Sequence, residues 1–471
     1  MIRRSLATLA VAALTLVAAP VAAQDYPPMP AVGAPKPFVL PATETYALPN
    51  GVEVTLIPYG ITPKAVISVR VPTGNIDDGA DTWISDMTVE MMREGAGGRT
   101  GAQLAQAAAG MGGGLQTGVG MHESSVSLNV LSEHGPAAIG LLADVIRRPT
   151  FPASELERVR QNRLRSLAVA RTSSGPQAEA ALAEALYGEQ HPYGRYLATE
   201  AQLNGYTLEQ VKAFHAAHFG ARGVRIYVAG QFDSAAVKAA IAQAFGDWQA
   251  GPARTAAPET PYKGMQVVLV DRPGAAQSTL RLVFPAPAIG GADDIRYRVM
   301  NTLLGGAFNS RITRNIREAK GYTYSPFSYL DYSDADESLW QFNADVTTAV
   351  TGASLTEVFS EIRKMQGDLP TASETQGARN FLAGTFVLQN ATAAGVLASV
   401  ANSDLYGLSD DWLNRFTPAV LAVTAEQMKA AAQGLALDQM TLVVVGDLAT
   451  VRPQLEALPE LRGATFQVVT P

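Results

Sequence analysis

Asp86, Glu90 and Glu94 recur every fourth residue beside a segment, 83–93, whose apolar spacing predicts a helix. Carboxylates at that spacing share one helical face. Two chemistries are open to them. They could hold a hard cation through oxygen ligands, or they could form a polar face toward a water-filled cavity, with Arg93 as a counter-ion close in sequence. His215 and His218 fall at i and i+3 of another helical segment, a spacing compatible with zinc. No third ligand accompanies them, and the adjacent Phe214 and Phe219 favour packing. His122 and His134 are read as surface or packing residues. The run Gly110-Met111-Gly112-Gly113-Gly114 lacks the spacing and the Lys-Ser/Thr ending of a phosphate loop, so it is read as a tight turn into an edge strand. There is no Gly-x-Ser-x-Gly elbow and no cysteine, which removes the usual serine and thiolate nucleophiles.

The elements that position these residues belong to a chain of 471 residues with 36 basic and 43 acidic side chains. A net charge of −7 argues against nucleic acid or an anionic membrane surface as partner. Residues 1–23 read as a signal peptide: Arg3 and Arg4, then an apolar run, then Val21-Ala22-Ala23. Export to the periplasm or the medium is therefore expected, and no later segment reads as a membrane span. Residues 24–41, rich in Pro and Ala, read as an extended lead-in. Alternating or β-branched runs predict strands at 52–57, 66–71, 124–130 and 224–229, with long helices at 136–147 and 153–170. The chain then repeats itself. Residues 206–212 resemble 423–429, 224–230 resemble 440–446, and 52–57 have a counterpart at 265–270. An offset of roughly 215 residues is too long for a solenoid and indicates a duplicated domain. The halves are 42–250 and 262–471, joined by a Pro-containing linker at 251–261. Strands and helices do not alternate strictly, so the expected class is α+β: two homologous domains, each a mostly antiparallel sheet with helices packed on it.

Several phrases are more specific. They are Ala47-Leu48-Pro49-Asn50-Gly51-Val52, Asp144-Val145-Ile146-Arg147-Arg148-Pro149-Thr150-Phe151 and His191-Pro192-Tyr193-Gly194. The second half adds Phe308-Asn309-Ser310-Arg311, Ile316-Arg317-Glu318 and Gly321-Tyr322-Thr323-Tyr324. With them the chain resembles the insulinase, pitrilysin and mitochondrial processing peptidase family over nearly all of its length after the signal. The resemblance implies a clamshell fold. Active members carry His-x-x-Glu-His on the first helix, two zinc ligands around a general base, and a distant Glu ligand on a later helix. Here Asp86 and Glu90 stand at the two His positions, Val89 at the base, and Ser166 at the distant ligand. The resemblance thus implies no zinc cofactor in this chain and no autonomous hydrolysis.

The family also uses an Arg and a Tyr seven residues apart, reaching toward the zinc centre from the second half, and Arg317 and Tyr324 keep that spacing. A guanidinium and a phenol there would hydrogen-bond the substrate carbonyl and the oxyanion. The resemblance therefore implies a non-catalytic subunit, whose homologous partner carries the zinc and whose substrate is an unfolded peptide. An inert peptide-holding or scaffold protein of the same fold is the alternative. In the family the neighbourhood of residues 115–119 supplies the strand that pairs with substrate; here Gly118 and Gly120 interrupt it.

Overall fold

The computed structural model of the chain describes residues 38–253, 264–332 and 338–469. The expected signal peptide, most of the lead-in and most of the linker lie outside these residues.

The first half forms β1 (Glu44–Ala47), β2 (Glu53–Pro58), β3 (Lys64–Val71), a two-residue ribbon of β4 (Gly95–Ala96) and β5 (Arg99–Thr100), β6 (Gln116–Val119), β7 (Ser124–Leu131) and β8 (Arg225–Gly230). The second half forms β9 (Gln266–Asp271), β10 (Gln277–Ala286), β11 (Phe327–Asp331), β12 (Ser338–Thr347), β13 (Thr441–Gly446) and β14 (Phe466–Val469). Each half builds one six-stranded sheet. Their orders are β1-β2-β8-β3-β7-β6 and β14-β9-β13-β10-β12-β11. In both, one parallel pair (β2 with β8, β9 with β13) is followed by three antiparallel pairings. The strands β8 and β13, which carry the most similar repeated phrase, occupy the same place. The outer strands break the symmetry: β1 is antiparallel to its neighbour and β14 is parallel.

Local chemistry accounts for the turns. In Leu48-Pro49-Asn50-Gly51, Gly51 takes φ 89°, where a Cβ would be strained, and the Gly51 N–H donates to Leu48 O at 2.9 Å. Asn50 Nδ2 ties the turn to the Phe245 and Trp248 carbonyls, at 2.8 and 2.9 Å.

The helices named below are α1 (Ile84–Met92), α2 (Gly101–Gly110), α3 (Gly135–Arg147), α4 (Ala153–Thr172) and α5 (Ser174–Tyr187). The halves exchange helices. First-half α5 covers β9, β10 and β13, while second-half helix Ala393–Leu405 covers β3 and β8. This explains why β8 and β13 read as continuous apolar runs: both faces are covered, and alternation sorts their side chains between two cores. Val443 and Val445 pack with Ala178 and Leu182 of α5, whereas Leu442 and Val444 face the second-half core. Tyr227 and Ala229 likewise join Val396, Leu397 and Val400. Polar contacts register the exchange: Tyr227 Oη donates to Asp404 Oδ2 at 2.7 Å, and Arg281 Nε pairs with Glu179 Oε1 at 2.6 Å. No single helix among the described residues is long and apolar enough to cross a membrane.

Candidate active site

α1 carries the carboxylates that the sequence singles out, and the chain before it fixes its start. Trp83, in the left-handed region at φ 69°, turns the chain into the helix. Asp78 then accepts from the Trp83 N–H at 2.8 Å and the Ser85 N–H at 3.0 Å, satisfying donors of the first turn. Burial pushes the Asp78 carboxyl up to about 6, against the pull of these hydrogen bonds. Asn75 Nδ2 lies within hydrogen-bond range of Asp78, Ser85 and Asp86, with Asp86 Oδ2 nearest at 2.7 Å.

The counter-ion of this face is not Arg93. It is Arg163, from α4, which packs against α1. Arg163 Nη1 donates to Asp86 Oδ1 at 2.9 Å, and its Nε lies 3.0 Å from Glu90 Oε2. The second contact is an ion pair whose N–H is not aimed at the oxygen. Asn162 Nδ2 donates to Glu90 Oε1 at 3.2 Å. Glu94 lies beyond the end of α1 rather than on its face, and pairs with Arg158 of α4 at 2.5 Å. Each carboxylate of the ladder thus meets a guanidinium from one neighbouring helix. The Asp86 carboxyl is raised all the same, because burial outweighs the pull of Arg163 and Asn75.

This donor set does not suit zinc. Val89, at the base position, is buried in the first-half core and has no proton to move. Ser166, at the distant-ligand position, donates its hydroxyl to Asn162 O one turn back along α4. A cation between Asp86 and Glu90 would have to displace Arg163. No group of three His, Cys, Asp or Glu side chains among the described residues could hold a metal.

The histidines pack. His215 Nε2 lies 2.8 Å from Ile146 O, and its ring stacks on Phe219 with its edge toward Phe151; burial lowers its pKa. His218 stacks on Phe214 and His122 lies against Tyr193, while His134 is 3.6 Å from Glu133. Among the described residues β6 is the outermost strand of its sheet and pairs with β7 alone, with Gly118 opposite Ser125.

The second half holds a different arrangement. Arg317 lies in a wide helical segment, Thr313–Ala319, with the spacing of a π-helix. Ile312 and Ile316 bury its inner face. Arg311 grips Glu374 through two bonds of 2.9 Å, which holds the Glu374 carboxyl down at about 2. Asn315 Nδ2 donates to Glu357 at 2.9 Å and Glu361 at 2.8 Å. Gly321, at φ 67°, ends the segment, its N–H donating to Arg317 O at 3.1 Å. Tyr324 then leaves a stretch pinned to β12 by Thr323 Oγ1, which donates to Asp345 O at 2.6 Å.

Arg317 and Tyr324 come together. They line one cleft of about 280 Å³ with Phe308, Thr313, Pro326 and Phe327. The Arg317 guanidinium carbon lies 5.0 Å from the centroid of the Tyr324 ring and 4.3 Å from that of Phe308. No carboxylate pairs with it among the described residues. Tyr324 is 79 % exposed. Rings cover guanidinium faces while its N–H donors, which lie in its plane, stay available. Asp86 and Glu90 are therefore held as ion pairs, while Arg317 and Tyr324 share an open cleft.

Sequence reasoning missed Arg163, Asn162 and Phe308. The first two carried a signal, a guanidinium and an amide along α4 at positions able to answer α1. Phe308 opens the run Phe308-Asn309-Ser310-Arg311 without a role of its own, and nothing in its spacing from Arg317 announces their contact.

The chain matches two profiles of one peptidase family. Residues 55–199 match "Insulinase (Peptidase family M16)", and residues 205–382 match "Peptidase M16 inactive domain". An uncharacterized zinc protease of Mycobacterium tuberculosis is 25% identical over 456 residues, covering 92% of this chain and 100% of that one. One from Bacillus subtilis is 22% identical over 402 residues, covering 85% and 97%. Among solved structures, a peptidase M16 inactive domain from Pseudomonas fluorescens superposes with a TM-score of 0.79 at 25% identity, covering 86% of this chain and 98% of that one. A protease from Helicobacter pylori gives the same TM-score at 17% identity, covering 87% and 100%. With the duplicated sheets and the phrases around both sites, these matches make the chain a member of the insulinase (M16) peptidase family.

Proposed function

We propose that this chain is the zinc-free subunit of an exported two-chain metallopeptidase, and that it presents Arg317 and Tyr324 to a peptide held at its partner's zinc. The observation that carries the reading is the contrast between the two sites. A guanidinium closes the carboxylate face of α1, while the Arg317 donors stand open beside an exposed phenol. The match to a profile described as an inactive peptidase domain supports it, as do full-length relatives named zinc proteases. Residues 1–23, read as an export signal, support a periplasmic or secreted location.

The partner's zinc would supply the activated water. This chain's residues act on the other side of the scissile bond. As water adds to the peptide carbonyl, negative charge gathers on oxygen, and the Arg317 N–H groups and the Tyr324 hydroxyl can donate to it. Among the described residues neither donor has a strong internal partner to release first, so little reorganisation accompanies the step.

Hydrolysis of an unfolded peptide by the purified chain, by a zinc-bearing homologue and by their mixture tests the proposal. Activity that needs both chains is the expected result. Full activity of the homologue alone overturns it, and an assembled mixture whose turnover ignores Arg317 and Tyr324 identifies a scaffold instead.

A further inference from the structure

Arg317 carries a long side chain with many rotamers to lose on ordering, yet nothing among the described residues holds it by hydrogen bond or ion pair. Its two aromatic neighbours differ in kind. Tyr324 brings a hydroxyl that can itself meet substrate. Phe308 brings only a ring face, closer at 4.3 Å, and is 68 % exposed. An exposed phenylalanine adds little to the fold, but its ring can fix a cation without consuming a donor.

The loop that carries Phe308 is tightly built. A Cβ on Gly305 would collide with Ser328 Oγ, and one on Gly306 would lie 2.6 Å from Asn301 Nδ2. Asn301 is buried, and its Oδ1 accepts from Ser328 Oγ at 2.6 Å and Trp340 Nε1 at 2.7 Å, tying the preceding helix to β11 and β12. After Phe308, Ser310 Oγ accepts from the Thr313 N–H at 3.3 Å and starts the segment that bears Arg317. Phe308 and Arg317 therefore stand on one short unit fixed at both ends.

We propose that Phe308 is a positioning residue: its ring face holds the Arg317 guanidinium in the cleft with its N–H donors turned to substrate. The assignment deepens the two-chain reading and rests on it for its catalytic consequence. In the assembled complex, Phe308→Leu, which keeps an apolar side chain and loses the ring, should lower kcat about five- to tenfold with KM nearly unchanged. Phe308→Tyr, which keeps a ring face, should restore most of it.

A second readout needs no partner. In the chain labelled with 15N at arginine Nε, the Arg317 cross-peak is identified by its loss in Arg317→Lys. Ring currents should displace it from the exposed-arginine position, and Phe308→Leu should move it toward that position, leaving only the Tyr324 contribution, while Phe308→Tyr should not. An unmoved peak in Phe308→Leu overturns the proposal whatever the protein's function. A moved peak with unchanged kcat in Phe308→Leu, while Tyr324→Phe is impaired, overturns the positioning role alone. If Tyr324→Phe and Phe308→Leu both cleave at the unmutated rate, the two-chain reading fails as well.

Discussion

The halves of this molecule build sheets of the same strand order at their centres and differ in how they use charge. On α1, two carboxylates stand four residues apart, and Arg163 lies between them with Asn75 and Asn162 at the sides. In the second half, the Arg317 guanidinium has rings beside it and no carboxylate among the described residues. A desolvated charge must be answered, and α1 answers its charges within the chain. An exposed guanidinium stacked on rings stays solvated at its edges and can leave its donors for another molecule. The first arrangement serves the fold, and the second is available for chemistry.

The sharpest way to break that contrast is to remove the closing cation. Arg163→Met should cost on the order of 3 kcal/mol, because it strands two partly buried carboxylates. Adding Asp86→Asn and Glu90→Gln should recover most of the loss, as read from urea midpoints. A neutral single variant would mean that the ion pairs are incidental.

Leu182 tests the helix exchange. It is buried where α5 seals the second sheet, so Leu182→Ala should cost about 2 kcal/mol or more by thermal or chemical unfolding. A surface-like effect would show that the halves do not depend on each other's helices.

Asp78 gives a pH signature confined to the first half. Its folded pKa is about 6, above its ordinary 3.8. Its stabilising contribution is therefore complete below the ordinary value and is lost as pH rises through about 6. Asp78→Asn should flatten that part of the stability profile while leaving the rest intact. An unchanged slope would assign the pH dependence elsewhere. The smallest signal concerns metal: after dialysis, the chain should retain no stoichiometric zinc. One tightly held zinc, lost in Asp86→Ala or Glu90→Ala, would contradict the closed site.

Much of this was legible in the sequence. The repeated phrases located β8 and β13 in equivalent strands, because a central strand covered on both faces must be apolar throughout. The resemblance singled out Arg317 and Tyr324 by their seven-residue spacing, and the structure brings the two to one cleft. Hidden were the partners supplied by tertiary packing. Glu94 looked like a third rung of α1, but the helix ends at Met92, and periodicity does not fix a helix end. Arg93 was the near counter-ion in sequence, yet α4 brought Arg163 from over seventy residues away. Helix exchange was also hidden, since a helix's apolar stripe does not say which sheet it covers.

The most direct test places one substitution from each site in the same assembled two-chain complex and compares turnover of an unfolded peptide, with assembly checked by gel filtration. Tyr324→Phe removes an oxyanion donor and should cut turnover on the order of a hundredfold, with assembly intact. Glu90→Gln keeps the shape of α1, removes the charge that a metal ligand would need, and should leave turnover near the unmutated value. The reverse pattern, with Glu90→Gln inactive and Tyr324→Phe unimpaired, would put the chemistry in the first half and contradict the account.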